Sequence, residues 1–316
     1  MGSLRAMLAP KPFRGDLIAA GAASLAVGLV LLDTRVQDDW AVGVRFAVLA
    51  AGAALLLTMA WLAPVEGRSP RMYVSALLVA AFPLLVFALI ELAILLGADD
   101  DVSPGSTTWI SLLVAAEYAA FAVRRGSAVS AFLAAASAVV CLLAAWSWVF
   151  DPGSATPLEW LCAVSILVLA YGAVVLRDHH KAHAVALIDV AGLTALLLAA
   201  IISIDVVSET IAGEGVRSPS APWGWKLVLV AVGFGLVAYG AVDRERGPVW
   251  LGVAVLTAFV LLAGAGNLLW WPLILLVLGV AAIAAGLRPT TAAPPAPDLD
   301  RPEAPRPFDP PPDPFL

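Results

Sequence analysis

Apolar residues in this chain run in long blocks and do not alternate with polar ones. Ten such blocks fill the stretch from Asp16 to Gly286, at 17–32, 41–63, 73–97, 108–123, 127–150, 159–176, 184–205, 224–242, 248–264 and 268–286. A helix rises about 1.5 Å per residue and a bilayer's hydrocarbon core is about 30 Å thick, so roughly 17–25 apolar residues suffice to cross it. Backbone groups find no water there, which leaves helices or closed barrels as the spanning structures. Runs rich in Ala, Leu and Val without a period of two exclude a barrel. The pattern therefore predicts an all-α fold, a polytopic transmembrane helical bundle of about ten spans.

Punctuation sets the boundaries. The last two spans nearly fuse, and one helix from Pro248 to Gly286 would be about 60 Å long, twice the bilayer. The turn signal Gly264-Ala265-Gly266-Asn267 divides it. The first span is short. Arg5, Lys11 and Arg14 before it resemble the basic start of a signal peptide, but no small-x-small cleavage site precedes Asp33, so it reads as a retained helix. After Arg288 the composition changes: 11 of the 23 prolines lie in 289–314, with few apolar residues. Proline breaks helix and sheet, so the expectation is a disordered Pro-rich tail, partly extended. The organisation expected is a short cytoplasmic N-terminal segment at 1–16, a transmembrane helical domain at 17–286 and a cytoplasmic tail at 287–316. Two PxxP spacings, Pro294 to Pro297 and Pro307 to Pro310, make the tail a candidate for a protein partner, although any proline-rich stretch produces such spacings.

Composition agrees: 61% of residues are hydrophobic and 13% charged, against about 25% charged in a soluble domain. Charge then orients the bundle. With the N-terminus inside, the inner segments hold Arg5, Lys11, Arg14, Arg68, Arg71, Arg124, Arg125, Arg177, Lys181, Arg244 and Arg246, and the outer loops hold only Arg35 and Arg217. Asp33, Asp38, Asp39, Asp99, Asp100, Asp101, Asp151, Glu209 and Glu214 fall outside. The expected location is the cell membrane, multi-pass, with both termini cytoplasmic. Nine of the 11 tryptophans fall near the outer interface and all four tyrosines on the inner half. Ordinary interfacial anchoring explains this; an aromatic-lined outer pocket for a lipid or another apolar ligand is the alternative.

A hairpin theme recurs on the inner side. Tyr118–Val123 before Arg124-Arg125-Gly126, Tyr171–Leu176 before Arg177, and Tyr239–Val242 before Asp243-Arg244 each lead through a basic turn into the next span. Duplication of a two-helix unit and simple compositional bias both account for it.

Ionisable residues inside spans are costly and mark function by default. Four stand out: Arg45, Glu91, Glu117 and Asp189. Arg45 and Glu91 lie at similar depth near the outer ends of neighbouring spans. They could form an ion pair, or Arg45 could snorkel alone, or they could serve transport. Glu117 and Asp189 lie near the inner ends of the fourth and seventh spans. They could share a proton or bind a cation, or each could reach water or a loop arginine such as Arg124. The run His179-His180-Lys181-Ala182-His183 is the one histidine cluster; without a nearby cysteine and with Lys181 in it, a solvated basic turn is favoured over a metal site. Cys141 and Cys162 read as small core residues.

The chain has one Asn and one Gln, too few convergent polar groups for a sugar or nucleotide pocket. Walker, dinucleotide, nucleophile-elbow and zincin motifs are missing, and no basic patch for nucleic acid exists. Membrane lipid is the expected partner, beside the protein partner that the Pro-rich tail could dock, with no cofactor and no metal. An enzyme would have to work through the outer aspartates, Asp99-Asp100-Asp101 above all. Ten spans with both ends inside, and the pair Arg45-Phe46 opening the second, resemble the drug/metabolite transporters. That resemblance rests on a span count and one dipeptide, and it implies a carrier for small molecules. The residues themselves point to a non-enzymatic membrane scaffold, or a helper in envelope assembly, with a transporter of small apolar or amphipathic molecules as the alternative.

Overall fold

A computed structural model describes residues 15–63, 65–66, 69–70, 72–98, 103–211 and 222–263. They form nine helices: α1 Gly15–Val36, α2 Val42–Leu62, α3 Met72–Leu95, α4 Pro104–Arg125, α5 Ala128–Phe150, α6 Thr156–Leu176, α7 Lys181–Ile211, α8 Trp223–Asp243 and α9 Arg246–Ala263. Between α2 and α3 two short strands, β1 Val65–Glu66 and β2 Ser69–Pro70, pair antiparallel with Val65 opposite Pro70. Eight helices are long and apolar enough to cross a membrane; α9 is apolar but shorter. The chain is thus a multi-span membrane protein with an all-α bundle. The described helices belong to one compact unit, Met1–Gly266. The tenth span expected at 268–286, the tail at 287–316 and the N-terminal segment up to residue 14 lie outside the described residues.

Several boundaries differ from those read in the sequence. α1 is 22 residues long and carries Asp33 in its last turn, so Asp33 is a helix residue and not a loop residue. α4 starts at Pro104, four residues earlier than hydropathy alone indicates. Ser103 caps it by accepting a hydrogen bond from the Ser106 N–H, with Pro104 in the first turn where its missing N–H costs nothing. α7 runs 31 residues from Lys181 and absorbs part of the histidine run.

Packing follows hairpins. The closest neighbours are α4 with α5, α2 with α3, α8 with α9, and α6 with α7. Three of these pairs turn at the Tyr-plus-basic sequences. Gly126 ends α4 in the left-handed region at φ 64°, and Ser127 caps α5 at once. Arg244 takes the same left-handed form after α8 at φ 58°. α3 and α7 are the most buried of the spans: α1 and α2 pack on α3, while α6 and α9 pack on α7. α3 is apolar on every side apart from Glu91, as suits a helix that meets other helices on some faces and lipid on the rest.

Two local features fix these contacts. Pro83 lies inside α3 and cannot donate to the turn below it. Near this weakened turn the Leu78 carbonyl accepts a 2.8 Å bond from the Tyr118 hydroxyl of α4. Tyr118 is wholly buried and meets Phe82 edge-on, so it is a core residue and not an interface anchor. In the second half, glycines let backbones approach. A β carbon on Gly252 of α9 would lie 2.7 Å from the Gly233 carbonyl of α8, and one on Gly240 would lie 2.8 Å from the Glu245 carbonyl.

Candidate functional site

Arg45 sits in the first turn of α2, one short turn after α1, and faces α3. Its Nε donates to Asp33 Oδ1 at 2.9 Å, and its terminal nitrogen donates to Glu91 Oε1 at 2.5 Å and Asp33 Oδ2 at 3.4 Å. Asp33 is 7% exposed and Glu91 3%. One guanidinium therefore serves two buried carboxylates. The sequence placed Arg45 and Glu91 at one depth; it missed Asp33, because the first span was ended at residue 32. The void beside the triad, bounded by Leu29, Trp40 and Leu49, holds only about 10 Å³, about the least that admits one water. A clamp joining α1, α2 and α3 fits this geometry, and a substrate chamber does not.

Glu117 and Asp189 are held by different helix pairs. Glu117 is exposed on α4, although its neighbour Tyr118 is wholly buried. Among the described residues no cation pairs with Glu117, Arg124 included. Asp189 lies half-buried on α7 against Gly247, where a β carbon would come within 2.9 Å of Oδ1. That oxygen has no hydrogen-bond partner.

At the same end, ion pairs tie the α6–α7 and α8–α9 turns together. Arg177 pairs with Asp243, which holds the guanidinium above its ordinary pKa through that hydrogen bond and charge. Lys181 Nζ reaches Glu245 Oε1 and the Asp243 carbonyl, both at 3.1 Å. His180 and His183 sit 5.4 Å apart across one turn. No group of three or more metal-ligating side chains forms among the described residues. Cys141 and Cys162 are both free, with Cys162 fully buried.

Two further buried ionic residues were missed. Glu159 opens α6 and Lys226 opens α8, and both are about 5% exposed. Hydropathy reads such residues as span ends in water, so their burial leaves no mark in the sequence.

Two grooves away from these charged residues are apolar. The larger groove, about 540 Å³, runs between α6 and α8 under Trp160, Trp223 and Trp225, with Ala163, Ile166 and Val228 below. Trp160 and Trp225 meet edge-on at 4.9 Å in its lining. A second, about 270 Å³, lies among α3, α4 and α5, with Thr107, Ser111 and Ser137 as its polar points. Neither groove is lined by Arg45, Glu91, Glu117 or Asp189.

Comparisons of this chain with protein-family models, with curated proteins and with solved structures return no match.

Proposed function

We propose that this multi-span membrane protein works without catalysis, as a scaffold or helper on which other envelope components assemble, with both termini in the cytoplasm. The observation that carries this reading is Glu117. Ionisable residues within spans almost always face the bundle interior or a partner. Glu117 instead lies on the exposed face of α4, amid exposed Leu113 and Ala120, and among the described residues no cation pairs with it. A carboxylate on an apolar helix surface fits a site that a second membrane protein covers with a basic or hydrogen-donating group. The charge distribution supports the orientation, since the basic turns all fall at one end of the bundle.

The test is assembly in native membranes. A photo-reactive residue at Leu113 or Ala120 is expected to give a discrete protein adduct, and Glu117→Leu to abolish it while the purified chain stays as stable as before. An unchanged adduct in Glu117→Leu would overturn the reading.

The α6–α8 groove favours a second reading, movement of apolar or amphipathic molecules. Its size and three tryptophans suit an acyl chain or an aromatic amphipath. Proteoliposomes containing the whole chain separate the two. Transbilayer movement of a fluorescent amphipath that Trp160→Ala with Trp223→Ala removes would establish transport and displace the scaffold.

A further inference from the structure

We propose that Trp61, Arg124 and Arg125 form a binding site for the phosphate headgroup of an anionic phospholipid. Trp61 lies in the last turn of α2, and the two arginines close α4. The guanidinium carbons of Arg124 and Arg125 sit 5.4 and 5.6 Å from the same indole centroid. Phe121, itself buried, meets the ring edge-on at 5.2 Å, so the platform rests on the core.

Two like charges against one small ring repel each other, and the indole's π face offsets only part of that. The two arginines are not equivalent. Arg125 is half-buried and donates to the Ala63 carbonyl at 3.1 Å. Arg124 is exposed, and among the described residues no carboxylate pairs with it. The nearest carboxylate along α4, Glu117, is seven residues deeper, about 10 Å along the axis. Arg124 therefore brings to the site a positive charge that an anion would neutralise.

The position selects a lipid as the source of that anion. Both helices end here, where apolar spans give way to the basic turn, and Val123 beside Arg124 is 84% exposed. A ligand with a phosphate at this level and acyl chains along α4 meets both the charge and the apolar surface. Arginine suits a phosphate because its planar fork donates two parallel bonds, and a tryptophan at this level sits naturally among headgroups. Free phosphate would meet the charge alone.

Native mass spectrometry of the full chain in neutral detergent, titrated with phosphatidylglycerol and with phosphatidylcholine, tests the site. Phosphatidylglycerol is expected to bind more tightly. Arg124→Gln should weaken it about five-fold, the effect of removing one basic residue near an anionic headgroup. Arg124→Lys should weaken it too, because charge alone does not restore the fork and the stack. Trp61→Phe should weaken it without removing any charge. Arg246→Gln, an exposed arginine at another turn of the same end, should leave it unchanged. Equal losses for Arg124→Gln and Arg246→Gln, or full retention in both Arg124→Lys and Trp61→Phe, would reduce the site to diffuse surface charge and overturn the proposal. Competition by millimolar inorganic phosphate as effective as by phosphatidylglycerol would overturn the choice of a lipid. Size-exclusion profiles identical to the parent chain confirm that each variant is folded.

Discussion

Arg45 binds Asp33 across the α1–α2 turn with two of its nitrogens, at 2.9 and 3.4 Å, while the same guanidinium reaches Glu91 on α3. The first helix is thereby fastened to the next two by charge as well as by packing. Because one cation is shared by two carboxylates, the three residues are not equivalent. Loss of Arg45 removes the cation that both carboxylates share, whereas loss of Glu91 leaves the Arg45–Asp33 pair in place.

An ordering of stabilities follows from that arithmetic. Arg45→Met is expected to cost about 3–5 kcal/mol, the range for stranding a buried charge. Glu91→Gln should cost clearly less, and the triple change Arg45→Met, Asp33→Asn, Glu91→Gln should recover part of the loss. Thermal unfolding of the set in one lipid, read as mutant cycles, checks it. Additive effects of Arg45→Met and Glu91→Gln would show that the contact contributes nothing.

Topology has a direct test. Reporter fusions after Arg125 and after Asp101 are expected to report opposite sides of the membrane, with the Arg125 fusion cytoplasmic. The basic turns motivate this through the positive-inside rule. Two fusions reporting the same side would break the up-and-down order.

The Pro-rich segment is expected to be dispensable for the bundle. Eleven prolines in 289–314 leave little that packs. Deletion of 290–316 should leave insertion and thermal stability of the membrane region unchanged, and a large loss would show that the segment contributes to it.

Hydropathy made most of the helices legible, because a lipid-spanning run needs a fixed apolar length and little else. It located helix ends poorly, because the residues that end a helix here are polar yet still buried. Asp33 stayed hidden for that reason, although it lies only 12 residues before Arg45. Glu159 and Lys226 stayed hidden in the same way. The exposure of Glu117 was also illegible, since the apolar residues flanking it show no periodicity that tells which face turns inward. The Tyr-plus-basic turns were visible as a repeated theme, and they coincide with three of the closest helix pairs. Their tyrosines do not share one environment: Tyr118 is wholly buried, while Tyr171 is 72% exposed.

Glycines give the sharpest contrast between sequence and structure. Small residues recur at close spacing throughout this alanine-rich chain, Gly235 and Gly240 among them, and spacing alone does not rank them. The structure does. Around Gly235 nothing lies within 4 Å of a built β carbon, whereas one on Gly252 would meet the Gly233 carbonyl at 2.7 Å and the Val237 nitrogen at 2.9 Å. Both obstacles at Gly252 are backbone, so no side chain can rotate away and α8 must separate from α9. Gly252→Ala is therefore expected to destabilise by about 1–3 kcal/mol, as overpacking does. Gly235→Ala should be neutral or stabilising by up to about 1 kcal/mol, since it replaces the poorer helix former in open space. Unfolding of the two variants in the same detergent decides the matter. Equal effects of the two substitutions would mean that α8 and α9 do not approach through Gly233 and Gly252.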